Sequence, residues 1–288
     1  MVFLLIAILC SASLPLLFRA FDDWRVNLFW AIPVNYFSCI VVGAIFAPEP
    51  AQAFELVWRS WFFLATLQGF ILAVNFYLLA YAAQRAGVSV AVLASRLSVA
   101  IPVMLAFLLY GDSLNTMKII GLVTAAASLY LCTATGQDFG IRQAWLRRVL
   151  PVLVFFMFGC HFSLLKFAQA YYLDDSSYHL YVTLSFLFAL VTSAAIGLMR
   201  IFSAKVGVRA TDLIAGGALG LINYGAIYCL IKVLSLEGWQ SSELFPIYSV
   251  GVVGVSSLLA MILFKERLSQ LKKLGLFIGL LAVALLNQ

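Results

Sequence analysis

The chain has 288 residues, 64% of them hydrophobic and only 10% charged, with a net charge of +6 and a mean hydropathy of +1.05. A soluble domain covers itself with about a quarter charged residues. This composition therefore excludes a water-soluble enzyme or a nucleic-acid-binding module and makes lipid the solvent of most side chains.

A membrane span needs about 20 mostly apolar residues to cross about 30 Å of hydrocarbon at 1.5 Å per residue. On that template the first half predicts helices over 2–19, 27–47, 59–83, 88–109 and 116–134. The second half predicts them over 149–170, 178–199, 212–234, 241–264 and 270–287. The first span has no basic stretch before it and no small-residue cleavage site, so it is expected to be retained. A transmembrane barrel would show short alternating segments in place of these long apolar runs. The polar stretch Thr135–Arg148 is too short for a catalytic or nucleotide-binding domain. Cys10, Cys39, Cys132, Cys160 and Cys229 all fall within predicted spans without metal-ligand spacing, which predicts free thiols, no metal and no disulfide framework.

Two stretches of the chain match. Tyr110-Gly-Asp112-Ser-Leu114 with Lys118 and Gly121 pairs with Phe264-Lys-Glu266-Arg-Leu268 with Lys272 and Gly275, each set between two apolar runs. A weaker match pairs Leu16-Leu17-Phe18-Arg19 with Ser163-Leu164-Leu165-Lys166. The sequence thus divides into residues 1–135, a connection over 136–148, and residues 149–288, with five spans in each half. Five is odd, so the second half is expected to be inverted in the membrane, an arrangement common in secondary transporters. Charge agrees with this. Arg19, Arg25, Arg85, Arg142, Arg147, Arg148, Arg200, Lys205, Arg209, Lys265, Arg267, Lys272 and Lys273 gather at the odd-numbered connections. The even ones hold few basic residues, Arg59, Lys118 and Lys232, with the acids Glu49, Glu55, Asp174, Asp175 and Glu237. With basic residues inside, this distribution puts both chain ends outside.

The motifs Tyr110-Gly-Asp112-Ser-Leu114 and Phe264-Lys-Glu266-Arg-Leu268, with Gly121 and Gly275 after them and the run Gly159-Cys-His161-Phe-Ser163-Leu-Leu-Lys166, resemble the drug/metabolite transporter superfamily, in particular its ten-span EamA-type branch. The resemblance spans nearly the whole chain. It implies an all-α integral membrane protein, two inverted five-helix repeats around a central cavity, and alternating access for small organic solutes. Many members are described with both ends cytoplasmic, opposite to the orientation that the charges favour here.

Arg96 lies about eight residues into the fourth span, or about 12 Å from its start, too deep to snorkel freely. An intramembrane cation faces a wet cavity or a partner, so Arg96 is either a contact for an anionic solute or half of a buried pair. His161, near the middle of the sixth span, is open to substrate or proton binding and equally to hydrogen bonding between helices. Asn75 and Tyr77 in the third span, and Asn223, Tyr224 and Tyr228 in the eighth, lie on helices that the repeat makes symmetry mates. They either line a cavity or bond helix to helix, and Asn35 beside Tyr36 carries the same two readings. Glu243, in the first turn of the ninth span, is a coupling or counter-ion candidate or an acid favoured there by the helix dipole. Asp112 and Glu266 are expected to cap the helix that follows each of them or to pair with Lys118 and Lys272. Gly216 and Gly220 make a small-xxx-small pair for close packing.

These features predict a secondary active or exchange transporter of a small polar or anionic metabolite, such as an amino acid or related organic acid. There is no Walker phosphate loop, so no nucleotide or other cofactor is expected, and the partners are a small-molecule substrate and the lipid bilayer. The location that fits is the bacterial inner membrane. An exporter of cationic or amphipathic drugs is an alternative in the same fold. An intramembrane enzyme is an alternative from another class, but His161 and His179 lack metal-site spacing and no Gly-x-Ser-x-Gly elbow is present, so no catalytic residue is expected.

Overall fold

The computed structural model describes residues 2–46, 60–110, 116–133, 141–173, 177–204, 207–234, 241–266 and 268–286. Asp112 lies outside the described residues. Every regular element among them is an α-helix: α1 (Val2–Asp23), α2 (Leu28–Phe46), α3 (Phe62–Arg85), α4 (Val88–Leu97), α5 (Ala100–Tyr110), α6 (Thr116–Thr133), α7 (Ile141–Tyr171), α8 (Ser177–Ala204), α9 (Ala210–Leu234), α10 (Ser241–Leu263) and α11 (Gln270–Leu286). Each of the predicted spans has its helix, and seven helical segments among the described residues are long and apolar enough to cross a membrane. Large apolar side chains stand outward, Phe63 at 81% and Ile214 at 71% exposure, as a lipid-facing surface requires.

Two elements differ from the sequence reading. The long helix α7 begins at Ile141, so much of the expected connecting loop is helix. The fourth span is two helices, because the ladder breaks at Ser98–Val99. Pro102 has no N–H to give the Ser98 carbonyl and its ring crowds it. The chain answers with a tightened turn in which Val99 N–H reaches back only to the Arg96 carbonyl, at 3.4 Å. The Ser95 and Ser98 hydroxyls donate to the carbonyls of Val92 and Ser95 at 2.7 and 2.6 Å, an i−3 habit that bends helices.

By contact the chain forms two compact units, one from residues 1–20, 78–159 and 225–288 and the other from 21–77 and 160–224, so each draws on both sequence halves. In the first unit the most extensive packing is α6 against α11. The contact is reciprocal. A Cβ on Gly121, early in α6, would lie 3.1 Å from the backbone of Leu286 at the end of α11, and one on Gly275, early in α11, would lie 3.1 Å from the backbone of Cys132 at the end of α6. The two helices are therefore antiparallel and each meets its mate through its own glycine. Ser128 Oγ donates across the contact to the Gly275 carbonyl at 2.7 Å.

In the second unit α2 packs on α8, with the Phe29 carbonyl 2.5 Å from where a Gly197 Cβ would be. Helix α9 presents Asp212, Gly216, Gly220 and Asn223 as one stripe to α2. Asn27 N–H donates to Asp212 Oδ1 at 2.9 Å. Cβ atoms at Gly216 and Gly220 would each lie 2.5 Å from a backbone oxygen, of Ala31 and Asn35 respectively, so the small pair sets the helix separation. Asp212, fully buried, also accepts from Arg209, pinning the start of α9 to the turn before α2. Trp61 and Ala65 of the α3 end pack on Ala168 of α7 and Tyr181 and Leu184 of α8.

Candidate functional site

Arg96 sits in the last turn of α4, a helix whose other residues are all buried. Its guanidinium lies over the ring of Tyr248 on α10, 4.9 Å from the centroid. Stacking on a desolvated tyrosine is worth about 1–2 kcal/mol, well short of what solvates a cation within a bilayer. The Arg96 Nε is buried and finds no acceptor among the described residues. Tyr248 is held in turn, its hydroxyl 2.5 Å from Ser11 Oγ on α1, and both residues are buried. One face of the guanidinium is thus covered by an immobilised ring, and its Nε–H is left without an acceptor among the described residues. Neither Tyr248 nor Ser11 was legible as a partner in the sequence. A tyrosine two residues after Pro246 and a serine in an apolar helix carry no spacing signal.

Glu243 falls in the first turn of α10, on the same helix as Tyr248, and its side chain lies outside the described set. Glu266 was expected to cap α11 or to pair with Lys272. The start of α11 is served by Ser269, whose Oγ accepts from Lys272 N–H at 3.3 Å. The Glu266 carboxylate instead lies against Gly87 at the start of α4, in the space that a Cβ there would fill. The chain reversal after α10 carries the acid across to a helix distant in sequence, while Lys272 still draws on its carboxylate. Burial pushes this carboxyl up from its ordinary range, against the pull of the Val88 and Ser89 N–H groups and of Lys272.

The remaining candidates lie in polar contacts of the second unit, apart from Tyr228. Asn223 Nδ2 donates to Asn35 Oδ1 at 3.3 Å and approaches Cys39 Sγ at 3.6 Å, while the Asn35 Nδ2 is buried without an acceptor among the described residues. Tyr77 donates to the Ser193 carbonyl at 3.3 Å and stacks near Phe29. Asn75 is buried. Tyr224 lies against Gly43, where a Cβ would meet its ring at 3.3 Å. His161 meets Gln68 on α3, its Nδ1 2.6 Å from the amide nitrogen as placed. The same Gln68 nitrogen donates to the His161 carbonyl at 3.5 Å. Tyr228 stands in the first unit with the Lys232 ammonium 5.7 Å from its ring centroid. Asn223, Asn35, Tyr77 and His161 therefore all bond helix to helix. Arg96, like Asn35, keeps an unanswered donor, and of these candidates it alone is a permanent cation. Gln68 was missed in the sequence, since a single glutamine in an apolar helix marks nothing until its partner is known.

A chain of long apolar helices with a lipid-facing surface is a multi-pass integral membrane protein. Residues 1–134 match the EamA-like transporter family of the drug/metabolite transporter superfamily. An uncharacterized protein of Haemophilus influenzae is 27% identical over 287 residues, covering 97% of this chain and 95% of the relative. A solved crystal structure superposes with a TM-score of 0.61 at 16% identity, covering 99% of this chain and 95% of that one, which speaks for the fold alone. That family is one of transporters.

Proposed function

We propose that the protein moves a small polar or anionic organic solute, an amino acid or related organic acid, across the bacterial inner membrane by alternating access, with Arg96 as the charge that receives it. The observation that carries this is the Arg96 guanidinium, stacked on Tyr248 inside the membrane and left with a buried donor. An ionised group at that depth costs several kcal/mol unless something answers it, and a planar N–H edge suits a carboxylate in two-point contact. The inverted-repeat reading is supported by the reciprocal glycine contacts of α6 and α11, which relate the two halves as an antiparallel exchange. On this reading residues 1–135 and 149–288 are the two repeats. Transport is driven by a solute or ion gradient.

The test is a thermal-shift screen of detergent-purified protein against amino acids, organic acids, nucleotide sugars and cationic drugs, repeated on Arg96→Ala and followed by uptake into proteoliposomes. Stabilisation by anions that disappears in Arg96→Ala supports the reading. Stabilisation by cations, or an anion response that survives the substitution, removes Arg96 from the site.

A further inference from the structure

Helix α4 is short and carries Arg96 in its last turn, beside the break at Ser98–Val99. Its other end is unusual. Gly87, the residue before the helix, has φ 106° and ψ 150° and supplies no capping side chain. The first turn of α4 is buried, Val88 at 1% and Ser89 at 0% exposure, so water cannot serve its free N–H groups. A carboxylate comes to this end from the stop of α10. Glu266 N–H and Phe264 N–H both return to the Ala260 carbonyl, at 3.3 and 3.1 Å, and Lys265 takes the left-handed conformation at φ 51°. This left-handed stop ends α10, and it delivers the Glu266 carboxylate to the start of α4, beside Gly87. A Cβ at Gly87 would lie 2.4 Å from Glu266 Oε1, so the glycine leaves the space that the carboxylate fills. Helix α10 and its stop thus meet α4 twice, with Glu266 at its start and Tyr248 under Arg96 near its end.

We propose that Glu266 is a positioning residue for Arg96, a detachable cap that holds α4 at the end opposite its break and so fixes where the guanidinium stands. The significance of that position rests on the anion-carrier reading; the cap does not. An ionised carboxylate attracts the free amides of a helix start strongly, and a protonated one less so. The cap is therefore engaged above the Glu266 pKa and loosened below it, at a pH above the ordinary carboxylate range because burial pushes the group up. The charged groups around it are Lys272 on α11, with Arg147 of α7 beside that lysine, and Lys265 next in the chain; α4 itself offers only the Val88 and Ser89 amides and the Ser89 side chain. For the whole fold the sign is opposite. A carboxyl raised by burial contributes stability at low pH that is lost as pH rises through its pKa, so loosening of α4 in acid is distinguishable from general unfolding.

The experiment follows the full chain in detergent without any ligand. Amide hydrogen exchange reads the start of α4, and peptide-resolved modification by phenylglyoxal, an arginine reagent, reads Arg96. Glu266→Ala is expected to speed exchange at Val88–Ser89 by about tenfold, the effect of losing a helix cap, and to change the Arg96 modification rate with it. Glu266→Gln, which keeps one acceptor, is expected to fall between Glu266→Ala and the parent and to abolish the parent's acceleration in acid. Should Glu266→Ala not fold, Glu266→Gln and the pH series of the parent protein decide the matter alone. Unchanged exchange in the variants overturns the cap. Faster exchange with unchanged Arg96 reactivity overturns the positioning role. Neither result depends on the identity of the solute, so an anion screen can fail while the cap stands.

Discussion

Gly220→Ala measures how closely α9 must approach α2. A Cβ at position 220 would lie 2.5 Å from the Asn35 carbonyl oxygen and 2.6 Å from Ser38 Cβ, neither a flexible tip that can swing aside. Relief to ordinary contact near 3.4 Å moves α9 outward by about 0.8 Å. The Asn223–Asn35 hydrogen bond, already 3.3 Å, then passes beyond 3.5 Å and is lost. The Cys39 Sγ contact to the Gly220 carbonyl at 3.4 Å stretches with it. Interhelical hydrogen bonds in membranes contribute about 0.6 kcal/mol each, and lost packing adds to this, for a total of about 1–3 kcal/mol. At about 2–4 °C for each kcal/mol, the apparent melting temperature in detergent should fall by several degrees. Gly217→Ala is the internal control, because its nearest neighbour is Ser38 Oγ at 4.0 Å; it should melt like the parent protein. Equal melting of Gly220→Ala and the parent, or equal loss in both variants, would refute close approach of this stripe.

Other outcomes follow from single contacts. Tyr248→Phe keeps the ring beneath Arg96 but loses the Ser11 hydrogen bond, so anion-induced stabilisation should weaken modestly, whereas Tyr248→Ala should reduce it far more in the same assay. Asp212→Asn keeps an acceptor for the Asn27 N–H but loses the charge that the half-exposed Arg209 pairs with, and should cost about 1 kcal/mol, read as a lowered melting temperature. Gly275→Val forces apart α6 and α11, where a Cβ meets Cys132 Sγ at 2.7 Å, and should lower the melting temperature as Gly121→Val does at the other end. His161→Leu together with Gln68→Leu should be less destabilising than His161→Leu alone, since the single variant strands a buried amide.

The sequence by itself determined the class and the helix inventory, because apolar run length is set by bilayer thickness and needs no tertiary information. It marked Arg96, since any cation at that depth demands an explanation, and it marked Gly216 and Gly220, since small residues one turn apart lie on one helix face. The break after α4 was half visible in Pro102, but Pro15, Pro33 and Pro151 sit inside unbroken helices, so proline alone did not place it. What Arg96, His161 and Glu266 touch was decided only by the tertiary structure. Their neighbours Tyr248, Gln68 and Gly87 at the start of α4 are remote in the chain, and such neighbours are chosen by which helix faces meet. For the same reason Asp212 passed unnoticed at the edge of a span, although its burial and its contact with Asn27 make it a main tie between α9 and the start of α2. Helix periodicity tells which residues share a face; only packing tells what that face meets.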